Sequence, residues 1–259
     1  MRMTGVVTAL LLATLLVGCG SGDEDGTPVV EEKAKTVLKA MSDKLASASR
    51  MRIEVERTMD AALVEGRAAG GTVRGEVFLE RPDKLAAAIT TEGARRAFVY
   101  DGSRVTIVDL EAGCYASVEA PPTVDETLAM LDEDYGYEPP VASFLRSDPY
   151  GHLLIQLVSE EKELKSGKHA GMEEIRGLRC HHLVFHENYV DWELWIAEKT
   201  SLPVRMLVTA TAMEGKPKLT VDILKLEMVE TIAAEAFVFV APDGAVEIDM
   251  VKVEKVEGE

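Results

Sequence analysis

The 259 residues predict an α+β domain built on one broad antiparallel sheet. Three observations carry this. The apolar period changes near residue 50 from three-and-four to two. The two-periodic runs that follow are joined by connections too short for a parallel crossover. A single Pro/Gly-rich segment with helix-start signals divides those runs into two groups. At 47% hydrophobic and 28% charged residues, the chain has apolar material for one sizeable core.

Taken in order, Val30 to Ser49 reads as an amphipathic helix: Val30, Ala34, Val37, Leu38, Met41, Leu45 and Ala48 recur at helical spacing between Lys, Glu and Asp. Ile53, Val55 and Met59 then alternate with Arg52, Glu54, Glu56 and Thr58, so Met51 to Val64 predicts a long strand, followed by a turn over Gly66 to Gly71. Val73 to Glu80, Leu85 to Thr91, Ala94 to Tyr100, Val105 to Leu110 and Cys114 to Glu119 continue the meander, with Asp101-Gly102 as a hairpin turn. Pro121-Pro122 ends the group. Thr123-Val124-Asp125-Glu126 has capping-box form and opens a short helix, broken by Gly136 and Pro139-Pro140. Val141 to Leu145 predicts a further helical turn. Asp148-Pro149 pairs an N-cap with proline at the first helical position, opening Tyr150 to Val158. Strands resume at Gly177 to His186, Asp191 to Ala197, Pro203 to Ala212, Lys218 to Leu226 and Ala245 to Val251.

Forty-five acidic against 28 basic residues give a net charge of −17. Phosphate binding needs clustered Lys and Arg, so a nucleic-acid partner is excluded, as is docking on an anionic membrane through a basic patch. The N-terminus points to a membrane by another route. Arg2 and the amine precede an apolar run, Val6 to Val17, that is too short to span a bilayer but has the length of a signal-peptide core. It ends in Leu16-Val17-Gly18-Cys19, which resembles a bacterial lipobox. The resemblance implies removal of residues 1–18, diacylglyceryl on the Cys19 thiol and an acyl chain, such as palmitate, on its freed amine. A plain secretory signal with an incidental Cys19 is the alternative. Residues 19–29 are small, acidic and Pro/Gly-bearing, as a flexible tether requires. Several acyl chains anchor stably without a transmembrane helix. By enteric-type sorting, Gly20 in place of Asp after the lipidated cysteine favours the outer membrane over the inner. The folded domain is expected over residues 30–251 and a charged tail over 252–259.

With Cys19 lipidated, Cys114 and Cys180 remain in an oxidising compartment. A bridge between them would be worth ~4 kcal/mol in the chain-entropy model. Two separate buried thiols are the equal alternative. His181, His182 and His186 form a polar cluster; on a strand His182 and His186 share a face and His181 opposes them. Neither HExxH nor CxxC spacing accompanies them, so a hydrogen-bonded strand pair is the better reading and no metal site is assigned. Trp192 and Trp195, three apart, face opposite sides of their strand, one toward the interior, the other under a helix or at the rim. Ser159-Glu160-Glu161-Lys162 spells SxxK without its companion SDN and KTG motifs, and no P-loop, GxGxxG or GxSxG occurs. No nucleophile–base constellation is available, so neither catalytic residues nor cofactors are expected.

Six segments, VLKAMSDKLASA, RGEVFLERPDKL, FVYDGSRVTIVD, YASVEAPPTVDETLAML, YGYEPPVASFLRSDPY and LRCHHLVFHENYVDWELWIAEKTSLPVRMLVT, resemble in order a family of predicted bacterial periplasmic proteins, domain of unknown function 2092, over Val30 to Gly244. That family is similar in turn to the periplasmic lipoprotein carrier (LolA-like) fold. The resemblance implies a curved antiparallel sheet forming an unclosed half-barrel, helices as a lid, and an interior that takes acyl chains. It supplies no catalytic residues. The lipobox, the acidic tether and the charged tail are departures from it. The expected function is a lipid-anchored envelope protein binding a hydrophobic small molecule or a lipoprotein acyl chain; the alternative is a sensor or protein-interaction module with a filled cavity. No protein partner is identified by the sequence.

Overall fold

A computed structural model describes residues 29–63, 71–91, 94–156 and 164–253. The elements in chain order are β1 (Val29–Val30), α1 (Glu32–Ala46), β2 (Arg50–Met59), β3 (Gly71–Glu80), β4 (Lys84–Thr91), β5 (Ala94–Tyr100), β6 (Arg104–Asp109), β7 (Cys114–Glu119), α2 (Val124–Tyr135), α3 (Ala142–Leu145) and α4 (Pro149–Gly151), then β8 (Leu164–Ile175), β9 (Leu178–Glu187), β10 (Val190–Ala197), β11 (Pro203–Ala210), β12 (Lys218–Met228) and β13 (Val246–Glu247). All thirteen strands belong to one sheet in the order β1-β8-β9-β10-β11-β12-β2-β3-β4-β5-β6-β7-β13. Only the two-residue edge strands pair in parallel. β1 and β13 do not meet, so the sheet is unclosed and its helices cover one face, the expected half-barrel arrangement.

Strand alternation sorts the faces. Met51, Ile53 and Val55 of β2, Val77 and Leu79 of β3, Leu85 and Ala87 of β4, and Trp192, Leu194 and Ile196 of β10 point to one side and join the main core. This inner face carries the helices. Helix α1 lies across β8 and β10 and inserts Ala34, Leu38, Met41 and Leu45, all fully buried, at about 1.5–3 kcal/mol for each of the larger three. The helix starts later than its apolar periodicity, because Val29 and Val30 pair with Ser166 and Gly167 of β8 and the Glu31 N–H donates to the Gly167 carbonyl.

β2 also stops early, at Met59 rather than Val64. Asp60 accepts the Lys218 N–H and closes a 3₁₀ turn at Leu63, which takes the chain out of extended form. Val64 and most of the expected Gly66–Gly71 turn lie outside the described residues. Helix α2 is capped as expected: Thr123 accepts the Glu126 N–H, and Gly136 ends the helix with φ 57°. Asp148 accepts the Gly151 N–H in front of α4, and the helix widens into a π-turn over His152–Gln156.

Two regions differ from expectation. β8 is a twelve-residue strand in a segment with no clear alternation; two register shifts and only three buried residues, Leu164, Gly167 and Ile175, erase its period of two. The expected strand Ala245–Val251 is reduced to β13, because the segment after β12 is a strap. Its turn at Ala234–Phe237 lies beside β4, the Phe239 ring meets Tyr115 on the outer face, and β13 runs along β7. The strap then rounds that edge: Met250 joins the main core, and Val253 N–H and Lys252 Nζ bond the Asp134 carbonyl and carboxylate in α2. Among the described residues the sheet, its core and the strap all lie within residues 29–253.

Candidate functional site

The inner face is covered unevenly. Along β2 it passes from buried Met51, Ile53 and Val55 to half-buried Arg57 and Met59; along β3 from buried Leu79 and Val77 to half-buried Gly75 and Val73; along β4 from buried Leu85 and Ala87 to half-buried Ile89. The register continues this border across Val221 and Leu219 of β12 to Met206 and Val208 of β11, all half-buried. One end of the face is thus roofed by α1–α3, and the other is an apolar apron under partial cover.

The helical insert reaches the edge of this apron through Tyr137. Its ring lies parallel to Phe98 at 6.0 Å. Burial pushes the phenol up to about 12, against the opposing pull of Arg96 and Arg57, so the hydroxyl stays a hydrogen-bond donor at neutral pH. Arg96 is committed to Asp109 at 3.0 Å. Arg57 shares the parity of Met51, Ile53 and Val55, and no carboxylate among the described residues pairs with it. Neither Arg57 nor Tyr137 was singled out from the sequence. The available signal was a charge at position 57, on the apolar parity of β2.

The roof is fixed at the opposite end. The Arg81 guanidinium donates to the Arg146 carbonyl at 2.7 Å, Arg146 donates to the Asp125 carbonyl, and the Asp125 carboxylate accepts the Ser147 N–H. This ties α2 and α3 to the β3–β4 turn. The Nε atoms of Arg81 and Arg146 are buried without a partner, and burial lowers the Arg81 pKa.

The outer face carries His182 and His186. His182 sits between two carboxylates, Nδ1 at 2.9 Å from Glu173 and Nε2 at 2.6 Å from Glu193, and stacks on Trp195 at 4.4 Å. The Trp195 N–H donates to Glu173, which lowers the Glu173 pKa with help from His182. His186 pairs with Asp191 on the same face, and His181 opposes both, bonded to His169. Among the described residues no group of three His, Cys, Asp or Glu side chains could hold a metal ion. The two tryptophans divide between faces: Trp192 stacks on Phe185 at 3.9 Å in the main core, and Trp195 packs with Ile175, Cys180, Ala197 and Val204 in a separate outer cluster. A groove of about 400 Å³ on the outer face of β2–β4 is lined by Arg52, Glu54, Arg74 and Glu76, already engaged in ion pairs.

Of the two alternatives for the cysteines, Cys114 and Cys180 are here free thiols, in β7 and β9 with eight strands between them in sheet order. Burial raises the Cys180 thiol pKa. Cys19, the signal segment, most of the tether and the SxxK residues Ser159 to Lys162 lie outside the described residues. No helix among the described residues is long and apolar enough to cross a membrane.

Residues 34–251 match the family described as Predicted periplasmic protein (DUF2092). No curated protein matches the sequence. Among solved structures, an uncharacterized conserved protein from Thermus thermophilus is similar over 84% of this chain and 99% of its own, at 10% identity and TM-score 0.48. LprF from Mycobacterium bovis is similar over 78% and 97%, at 12% identity and TM-score 0.44. A LolA superfamily protein from Nitrosomonas europaea is similar over 80% and 97%, at 9% identity and TM-score 0.35.

Proposed function

The chain belongs to the DUF2092 family of predicted periplasmic proteins, and from that premise we propose that it is a lipid-anchored envelope protein that holds a hydrophobic ligand against the inner face of its sheet. The observation that carries the reading is the apolar apron: Met206, Val208 and Val221 are only half-buried yet pack against the main core, and half-buried Met59, Val73 and Ile89 extend the same face beyond them. An acyl chain laid there removes apolar surface from water at about 25 cal/mol per Å², and no chemical step is needed. The lipobox ending at Cys19 supports anchoring, and Gly20 favours the outer membrane facing the periplasm. A permanently anchored protein can accept or store a lipid or a lipoprotein acyl chain at its own membrane, but it does not ferry one between membranes.

A second reading, an envelope sensor or protein-interaction module on a filled half-barrel, draws on the roofed end, where α1–α3 pack continuously on Leu79, Leu85, Tyr100 and Trp192. The test between them is extraction of the purified domain, made from Gly20 onward in a bacterial periplasm, followed by lipid mass spectrometry and titration with acyl ligands. A lipid class near one per protein, or saturable binding that shifts Trp192 emission, is expected. An empty extract together with no response to any acyl ligand overturns ligand binding and leaves the sensor reading.

A further inference from the structure

The apron contains one group that does not belong on an apolar surface. Arg57 stands in the row Val73–Arg57–Val221, flanked across both ladders by valine. Half-buried Arg50, Arg52 and Arg205 each hold a carboxylate within 2.8 Å. Arg95 and Arg104, which also lack an ion pair, are exposed. Arg57 is half-buried and unpaired among the described residues, so its charge stands over apolar neighbours with no carboxylate to answer it. The Tyr137 hydroxyl, close enough to feel its charge, also has no hydrogen-bond partner among the described residues. Two donors without acceptors among the described residues therefore border a partly covered apolar strip, Arg57 within the strip and Tyr137 over Phe98 at its margin.

We propose that Arg57 and Tyr137 are the head-group site for an amphiphile with one anionic head and one acyl tail, the tail lying along the apron. This rests on the ligand-binding reading above and names the ligand class for it. A guanidinium pairs with a carboxylate or phosphate oxygen by charge-assisted hydrogen bonds, the phenol O–H supplies a third donor, and a neutral head of the same tail length leaves the guanidinium unpaired. Arg96 cannot serve in the same way while Asp109 holds it.

The test is calorimetric titration of the domain from Gly20 onward with dodecanoate and with 1-dodecanoylglycerol, both kept monomeric. At ~0.15 M salt the Debye length is about 8 Å, which screens the domain's net negative charge from the ligand. Dodecanoate is expected to bind at least about tenfold more tightly than the neutral ester. Arg57→Met should bring the two within about twofold, and Tyr137→Phe should remove part of the preference. Thermal unfolding checks that both variants are folded. Equal binding of the two ligands, or a preference that survives Arg57→Met, overturns the head-group assignment while ligand binding stands. Binding of neither ligand overturns the reading on which it rests.

Discussion

Gly167 is held by its neighbours and not by its own backbone. A Cβ there would fall 2.5 and 2.6 Å from two carbons of the Phe185 ring and 3.1 Å from a Val30 methyl. Phe185 cannot swing aside, because Trp192 stacks on it at 3.9 Å with α1 above. The Gly167→Ala variant is therefore expected to lose about 1–3 kcal/mol, the range for overpacking a filled core. Urea unfolding followed by tryptophan emission measures this, and an unchanged midpoint would show that β1 and the Phe185 ring yield more readily than the packing indicates. At this same scale the sequence was half legible. Alternation assigned the histidine and tryptophan faces correctly, since it needs only parity. It could not say that His182 lies between Glu173 and Glu193, because Glu173 arrives from β8, a strand with no readable period. Arg57 was legible only in retrospect: a charged residue on an apolar parity has meaning once the cover above it is known.

The hairpins were the most legible elements because their turn chemistry is local. In the β5–β6 turn Asp101 accepts the N–H groups of Ser103 and Arg104. In the β6–β7 turn Asp109 accepts the Ala112 N–H at 3.0 Å and pairs with Arg96 at 3.0 Å. The Ala112 N–H first, then Arg96, holds the Asp109 carboxyl below its ordinary value. A carboxylate with a depressed folded-state pKa adds stability that is fully present above its unfolded value, near 4, and is lost as pH falls through the folded value, because the unfolded chain takes up the proton first. Asp109→Asn keeps an acceptor for Ala112 but cannot titrate. It should cost about 0.5–1 kcal/mol at pH 7 and flatten the fall in unfolding free energy between pH 4 and 2, read from denaturant midpoints across that range. A slope identical to that of the parent would remove Asp109 from the acid-sensitive set. The elements that escaped the sequence reading, β1 and β8, and the one that is shorter than expected, β13, are edge strands or lie next to one. They are held by pairing to a neighbour and bury few side chains, so they lack the apolar rhythm that betrays a central strand. The strap is the extreme case: its path is set by distant partners, Tyr115, Asp134 and the core around Met250.

Across the whole molecule, the register places the start of the domain at the same level as the apron. Val30 pairs with Gly167, Gly167 with Phe185, Phe185 with Trp192, Trp192 with Val208, Val208 with Leu219, and Leu219 with Met59. The chain preceding Val29 therefore joins the domain at the half-covered end of the sheet. If Cys19 is the anchor, residues 19–29 form a short tether whose flexible reach is about 5–6 Å times the square root of its length, roughly 18 Å. The apron is then kept within a tether's reach of the bilayer from which an acyl ligand would come. That proximity has a measurable consequence. Lengthening the tether fourfold with Gly and Ser should lower the effective concentration of the apron at its own membrane by about eightfold, following the −3/2 power of length. Lipidated protein on vesicles, transferring a fluorescent acyl ligand from those same vesicles, should slow by that factor. Uptake of the ligand from free solution should stay the same, because the domain is untouched. A Cys19→Ser chain should leave the membrane fraction altogether. Equal transfer rates for short and long tethers would mean that the ligand reaches the apron through the aqueous phase, and the placement of the N-terminus at this end of the sheet would have no part in loading.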